Sequence, residues 1–477
     1  MLNDIFNILL PQISIIICII LLLILGMIVS PRYYKYSRII SILGITLSII
    51  LLSTVQTEPQ YFGFKSSIMS DSYTLLFDFV ILLCGFFVSL MSRNIINKIK
   101  RSAYTYHAVL LTAILGALNV VSANDFITLL VSIELLGFAT YFLIASAKGY
   151  RSKEASFKYL ITSSVATCVF LFGASYLYGI TGSINFSEIY QIISEKDVSV
   201  IFSISAILIS VGLGAKLAVF PFANWILDVY KGCETSVLAF LSTIPKLAVF
   251  GILCRLFVFP LSGIFELAFA IAILSLITAF WANTYAIRET NVKVILACSS
   301  AANASYALLA ASLVSAYNLS TVIFYLICYV IMNIGAFAFL NIYGDEKSMN
   351  VEDFKGIFHI NHGIVGAYTI TILALAGIPF TSGFIAKIYL FTAIVNSGFI
   401  FIPFLFILLM LTVFALFYYL KILLPMFDEY DKNTLIPKLN PYFSQKFILT
   451  ASAIIILVIG IFPEKLIELC RYIAYNI

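Results

Sequence analysis

Four ionisable residues lie deep within stretches that are otherwise apolar: Glu134 in LLVSIELLGF, Lys216 in VGLGAKLAVF, Lys246 in LSTIPKLAVF and Lys387 in GFIAKIYLF. A charge at bilayer depth costs about 2.5 kcal/mol or more, so such residues persist where they line a polar path or meet a partner. Lysine suits proton transfer in that setting. Desolvation brings its ordinary pKa of about 10.4 toward neutrality, and a nearby carboxylate raises it again. A carboxylate whose influence comes and goes would load and unload the amine. Glu134 and Lys216 are therefore a candidate pair, with a static ion pair that fixes helix packing as the other reading. Three lysines and a glutamate together have the make-up of a proton relay.

Accessory candidates flank this set. Lys158 follows the basic run Lys148, Arg151 and Lys153, and Lys293 follows Arg288 and Glu289. Each fits either a cation reaching for the membrane surface or a member of the path. Ser299, Ser300 and Asn303 read as a polar stripe on one helical face, able to hold water for proton hopping or to bind a neighbouring helix. His359 and His362 stand at i, i+3 without further metal ligands nearby in sequence. The eight cysteines are scattered singly, with no CxxC spacing for zinc or an iron–sulfur cluster. No metal or cofactor site is expected in this chain.

The elements that must position these residues are set by composition. Of 477 residues, 62% are hydrophobic and 11% charged, which excludes both a soluble globular protein and a disordered one. Apolar runs long enough to cross about 30 Å of hydrocarbon predict an all-α, polytopic membrane protein of about 14 spans. Their approximate extents are 9–30, 37–54, 73–92, 106–121, 125–147, 158–179, 200–223, 236–259, 264–286, 292–313, 319–342, 364–393, 399–424 and 447–467. The first is too long for the core of a cleaved signal peptide and reads as a retained helix. The connecting stretches are loop-sized, so no separate soluble domain is expected.

Every second loop is basic, carrying Arg32, Lys35 and Arg38; then Arg93, Lys98, Lys100 and Arg101; then Lys148 to Lys153; and so on to Lys432, Lys438 and Lys446. The intervening loops hold little beyond Lys65 and Lys196. Positive loops stay cytoplasmic, which places both termini on the periplasmic side of a bacterial inner membrane. The net charge of +5 arises mostly from those loops, so a nucleic-acid partner is not implied.

Spans 4 to 13 divide into five and five, and a repeat of odd length must insert its second copy upside down. The expected organisation is 1–105 for three leading helices, 106–259 and 260–424 for two inverted repeats, and 425–477 for a closing loop and helix. Pro221 follows Lys216 by five residues, and Pro379 precedes Lys387 by eight. Proline removes a backbone donor and clashes with the preceding turn, so spans 7 and 12 are expected to be broken beside a hydrated cavity. Pro245, next to Lys246, suggests a third break in span 8.

These residues sit in motifs that resemble the antiporter-like membrane subunits of proton-pumping NADH:quinone oxidoreductase (respiratory complex I) and of multisubunit cation/proton antiporters. The motifs are ELLG, KEASFKYLITSS, GAKLAVFPFANWILDVYKG, AFLSTIPKLA, ETNVKVILACSSAANASYA, YVIMNIGAFAF and LALAGIPFTSGFIAKIYLF, and they cover nearly the whole chain. The resemblance implies that Glu134 pairs with Lys216, that Lys246 links two halves, that Lys387 faces the outlet and that Lys158 is accessory. Length and the lysine at 387 favour the subunit N branch over its paralogues. The alternative is a subunit of a sodium/proton antiporter.

The same resemblance implies partners among the other membrane-arm subunits, including antiporter-like paralogues. NADH, FMN, iron–sulfur clusters and quinone would then be handled by other chains. Three departures stand out: Ala223 in PFANW and Asn303 in SSAANASY where the family usually has histidine, and Glu234 in GCETSV where it usually has proline. A lysine relay is implied without those histidines.

Overall fold

The structure is a computed structural model describing residues 2–55, 61–63, 66–147, 149–194, 200–344, 349–429, 439 and 441–476. The loop cations Lys65, Lys148, Lys196, Lys347, Lys432 and Lys438 lie outside these residues. In lipid every backbone polar group must be satisfied within its own segment, and long apolar stretches accordingly become helices. In chain order they are α1 (Leu2–Ile28), α2 (Lys35–Leu52), α3 (Ser72–Met91), α4 (Arg93–Ile99), α5 (Ala103–Ser122), α6 (Phe126–Ala145) and α7 (Tyr150–Thr181). Then come α8 (Phe186–Ser194), α9 (Val200–Gly214), α10 (Trp225–Gly232), α11 (Thr235–Val258), α12 (Phe265–Arg288), α13 (Val292–Ser312) and α14 (Ala316–Tyr343). The last are α15 (His362–Ala376), α16 (Ser382–Asn396), α17 (Ile402–Phe427), α18 (Phe443–Ile461) and α19 (Glu464–Tyr475).

Among the described residues, 13 helical stretches are long and apolar enough to cross a membrane. The shorter α15 and α16 together make the fourteenth span, so the protein is a multi-pass, all-α membrane protein. A two-stranded hairpin, Tyr61–Gly63 with Ile68–Ser70, is a small addition to the expected plan. Side chains start several helices by accepting orphan backbone N–H groups: Asp71 from Thr74, Asp125 from Thr128, Asn291 from Lys293 and Val294, and Ser315 from Asn318. Two boundaries differ from expectation. α7 begins at Tyr150, so Lys158 stands in its third turn, and the final span ends at Ile461 with a separate helix, α19, after it.

The loops meet in two groups, as alternating sidedness requires. Ile68 bridges Ala123 and Asp125 bridges Asn185 at one face. At the other, Asn291 bridges Asn350, Lys98 pairs with Glu234, and Lys421 donates to the carbonyls of Ile287 and Glu289. Large apolar side chains such as Ile24, Phe142, Phe172 and Phe417 point outward. α11 and α13 are buried along their full membrane-crossing lengths.

Span 7 breaks: α9 stops at Gly214, a 3-10 turn follows at Ala215–Leu217, and α10 resumes only at Trp225. Lys216 thus sits inside the break rather than in a helix preceding it. Span 12 breaks between Ala376 and Ser382, where Gly377 takes the left-handed conformation (φ 86°) that ends many helices. Span 8 does not break. α11 runs unbroken through Pro245, because neighbouring helices enclose every residue from Thr235 to Phe257 and can support the freed backbone group.

Candidate functional site

Lys216 occupies the break in span 7, which is held by unusual local contacts. Ala218 adopts φ 62°, a conformation that costs a non-glycine residue of order 1 kcal/mol or more. Trp225 Nε1 donates to the Ala215 carbonyl (3.1 Å), and the Phe220 amide donates to Thr278 (2.9 Å). The ammonium of Lys216 donates to Ser163 Oγ on α7 and lies 5.9 and 5.7 Å from the ring centres of Tyr141 and Tyr159. Gly137 makes room for it, since a Cβ there would lie 3.1 Å from Lys216 Nζ.

The expected direct pair of Glu134 with Lys216 is not formed: among the described residues no ion pair joins them. Two hydroxyls one turn apart on α7 stand between. Thr167 Oγ1 donates to Glu134 Oε1 at 2.7 Å, Thr167 also reaches the Ser163 carbonyl at 3.1 Å, and Ser163 Oγ receives Lys216. Helical spacing places Ser163 and Thr167 on one face of α7, so a single helix bridges the carboxylate of α6 and the lysine of the break.

Lys246 is 1% exposed at the centre of α11. Its ammonium donates to the carbonyl (2.8 Å) and to the hydroxyl of Ser300, and Ser300 Oγ meets Tyr329 OH at 2.7 Å. The expected stripe on α13 separates into two sets, because Ser299 and Ser300 are about 100° apart around the helix. Ser299 meets Tyr419 OH at 2.5 Å, Asn303 bonds back to the Ser299 carbonyl at 2.9 Å, and Tyr325 OH donates to Asn303 Oδ1 at 2.9 Å. The rings of Tyr325 and Tyr329, nearly parallel with centres 6.5 Å apart, lie between the two sets.

Lys387 bends back across the break in span 12. It donates to the carbonyls of Leu375 (2.9 Å) and Ala376 (3.1 Å), the orphan acceptors at the C-terminus of α15. Lys158 forms ion pairs with Glu154 and Asp228, both at 2.9 Å, and is 42% exposed. Lys293 is buried at 6% exposure and donates to the Cys233 carbonyl at 3.0 Å.

Sequence reading overlooked Gly137, Ser163, Thr167, Tyr325, Tyr329 and Tyr419. Gly137, Ser163 and Tyr329 lay within quoted motifs, but nothing local marked them as partners of particular lysines. Lys216, Lys246 and Lys387, all buried, bond to uncharged oxygen atoms and can hold or release protons without breaking an ion pair among the described residues. No group of three or more potential metal ligands occurs among the described residues.

A 14-span bundle with two broken helices and a buried lysine at each break defines an antiporter-like membrane subunit. The family described as NADH:quinone oxidoreductase/Mrp antiporter, membrane region, matches residues 123–414. NADH-quinone oxidoreductase subunit N of Bacillus anthracis is 32% identical over 454 residues, covering 90% of this chain and 88% of the relative. The chain belongs to this family, in its subunit N branch.

The fold recurs in a chain of respiratory complex I from Thermus thermophilus with bound aureothin. That chain has TM-score 0.82 and 24% identity, over 97% of this chain and 99% of that one. A chain of the Mrp complex from Dietzia sp. DQ12-45-1b has TM-score 0.83 and 18% identity, over 100% and 98%.

Proposed function

We propose that this chain is a proton-translocating subunit in the membrane arm of an NADH:quinone oxidoreductase, with protons carried by Lys216, Lys246 and Lys387. The observation that carries this reading is the burial of three lysines, 6, 1 and 8% exposed, each hydrogen-bonded within the bundle to uncharged oxygen. Lysine costs too much at that depth to be kept for packing alone, and a neutral acceptor lets the amine exist in either protonation state. Glu134 tunes Lys216 across Thr167 and Ser163. Lys246 joins a first half, 106–259, to an inverted second half, 260–424, and Lys387 controls the outlet at the second break. Lys158 and Lys293 are accessory.

Redox chemistry in partner subunits supplies the drive, and NADH, FMN, iron–sulfur clusters and quinone belong to those subunits. The basic-loop face is cytoplasmic and both termini lie on the opposite side of a bacterial inner membrane. Full-length similarity to subunit N supports this reading over the sodium/proton antiporter alternative. The test is proton uptake by vesicles containing the complex with Lys216→Ala. The expected result is assembled complex with strongly reduced coupled pumping. Normal pumping by that variant would overturn the reading.

A further inference from the structure

The face that bears the basic loops carries an open cavity of about 290 Å³, lined in part by Lys98, Arg151, Ser152, Gly232 and Glu234. Glu234 is its carboxylate. It immediately precedes α11, its side chain is 11% exposed, and it pairs with Lys98 at 3.0 Å. A carboxylate held there has access to water on one side and the bundle on the other.

Polar side chains continue inward from this point. The backbone carbonyl of Cys233, adjacent to Glu234, accepts from Lys293 on α13. Seven residues along the same helix, two turns and about 10 Å away, Ser300 accepts from Lys246. Two buried phenols flank the interval. Tyr106 lies near Glu234 and Ser236, and Tyr230 lies near Cys233 and Ser300. Tyr106 is 4% exposed and Tyr230 0%, and their hydroxyls lie beside those of Ser236 and Ser300.

We propose that Glu234 is the proton-uptake group for Lys246, with Tyr106 and Tyr230 as the steps between. This rests on Lys246 being a proton carrier. A proton from cavity water binds a carboxylate oxygen of Glu234. Each phenol oxygen accepts a proton as its own O–H proton passes on, so both hydroxyls end unchanged. The proton finishes on the neutral amine of Lys246. Lys98, 3.0 Å away, holds the carboxylate in place at the cavity by a charge-assisted bond.

The experiment measures proton uptake from the basic-loop side in vesicles holding the intact complex, alongside NADH oxidation. Glu234→Gln is expected to lower coupled uptake several-fold while assembly persists, and Glu234→Asp to keep most of it. Formate, a small weak acid able to enter the open cavity, is expected to restore uptake to Glu234→Gln; a purely structural role would give no such rescue. Tyr230→Phe removes only a hydroxyl and is expected to show the same loss. Wild-type uptake in Glu234→Gln, or a loss that formate does not relieve together with full activity in Tyr230→Phe, overturns the proposal. Lys246→Ala separates the two levels: normal pumping there removes the underlying reading, whereas loss there with normal Glu234→Gln removes only the uptake role.

Discussion

Substituting Gly383 with alanine should disable Lys387 without touching the lysine. Gly383 is the second residue of α16, just beyond the break, and a Cβ there would lie 1.8 Å from the carbonyl oxygen of Ala374 and 2.9 Å from Met332 Sδ. To reach an ordinary contact of 3.4 Å, the end of α15 must retreat by about 1.6 Å. The next two carbonyls, of Leu375 and Ala376, are those that accept from Lys387 at 2.9 and 3.1 Å. A shift of that size carries both beyond hydrogen-bond range unless the lysine follows. Hydrogen bonds to charged groups are worth about 1.5–3 kcal/mol each, so losing both removes most of what holds the ammonium across the break.

The assay is proton pumping by the purified complex in vesicles, with native gel electrophoresis reporting assembly. Gly383→Ala should pump poorly, and Gly363→Ala and Gly366→Ala should pump normally, since an added Cβ at either meets nothing within 4 Å. Normal pumping by Gly383→Ala would refute the role of these carbonyls. Equal loss in all three variants would point instead to a general intolerance of α15 and its surroundings.

Three further outcomes follow from the geometry. Glu134→Asp should keep much of the pumping and Glu134→Gln should lose most of it, while Thr167→Val should resemble Glu134→Gln if the hydroxyls transmit the charge; equal pumping by Glu134→Asp and Glu134→Gln would contradict the electrostatic coupling. Arg255 and Asp71, 1 and 2% exposed, form an ion pair through both carboxylate oxygens at 3.0 Å. Breaking it with Arg255→Ala should cost about 3–5 kcal/mol, read as a lower melting temperature by thiol-probe labelling of the buried cysteines. Burial alone would raise the Asp71 carboxyl, but Arg255 and two bonds from Thr74 hold it below its usual range. A depressed folded-state pKa stabilises above the unfolded value of about 3.9, so the pair's contribution should be constant from pH 5 to 8 and fall only under stronger acid. Finally, burial pushes the Cys470 thiol up to about 12, so it should resist alkylation at pH 8 until α19 detaches, whereas the exposed Cys168 should label at once; rapid labelling at Cys470 in the native protein would contradict that packing.

The sequence by itself determined the membrane class, the order of the spans, that spans 7 and 12 are broken, and the identity of the buried ionisable residues. All of these depend on short windows, because the apolar length needed to cross lipid and the cost of a charge within it are local properties. Tertiary structure decided what each charge touches. Ser163 is 53 residues from Lys216 and Ser300 is 54 from Lys246, so their meeting depends on how separate helices are rotated and packed. Packing also overrode a local rule at Pro245, where complete enclosure of α11 keeps continuous a helix that its own sequence would break. It separated Ser299 from Ser300 as well, because 100° of helical turn sends adjacent residues to different neighbours.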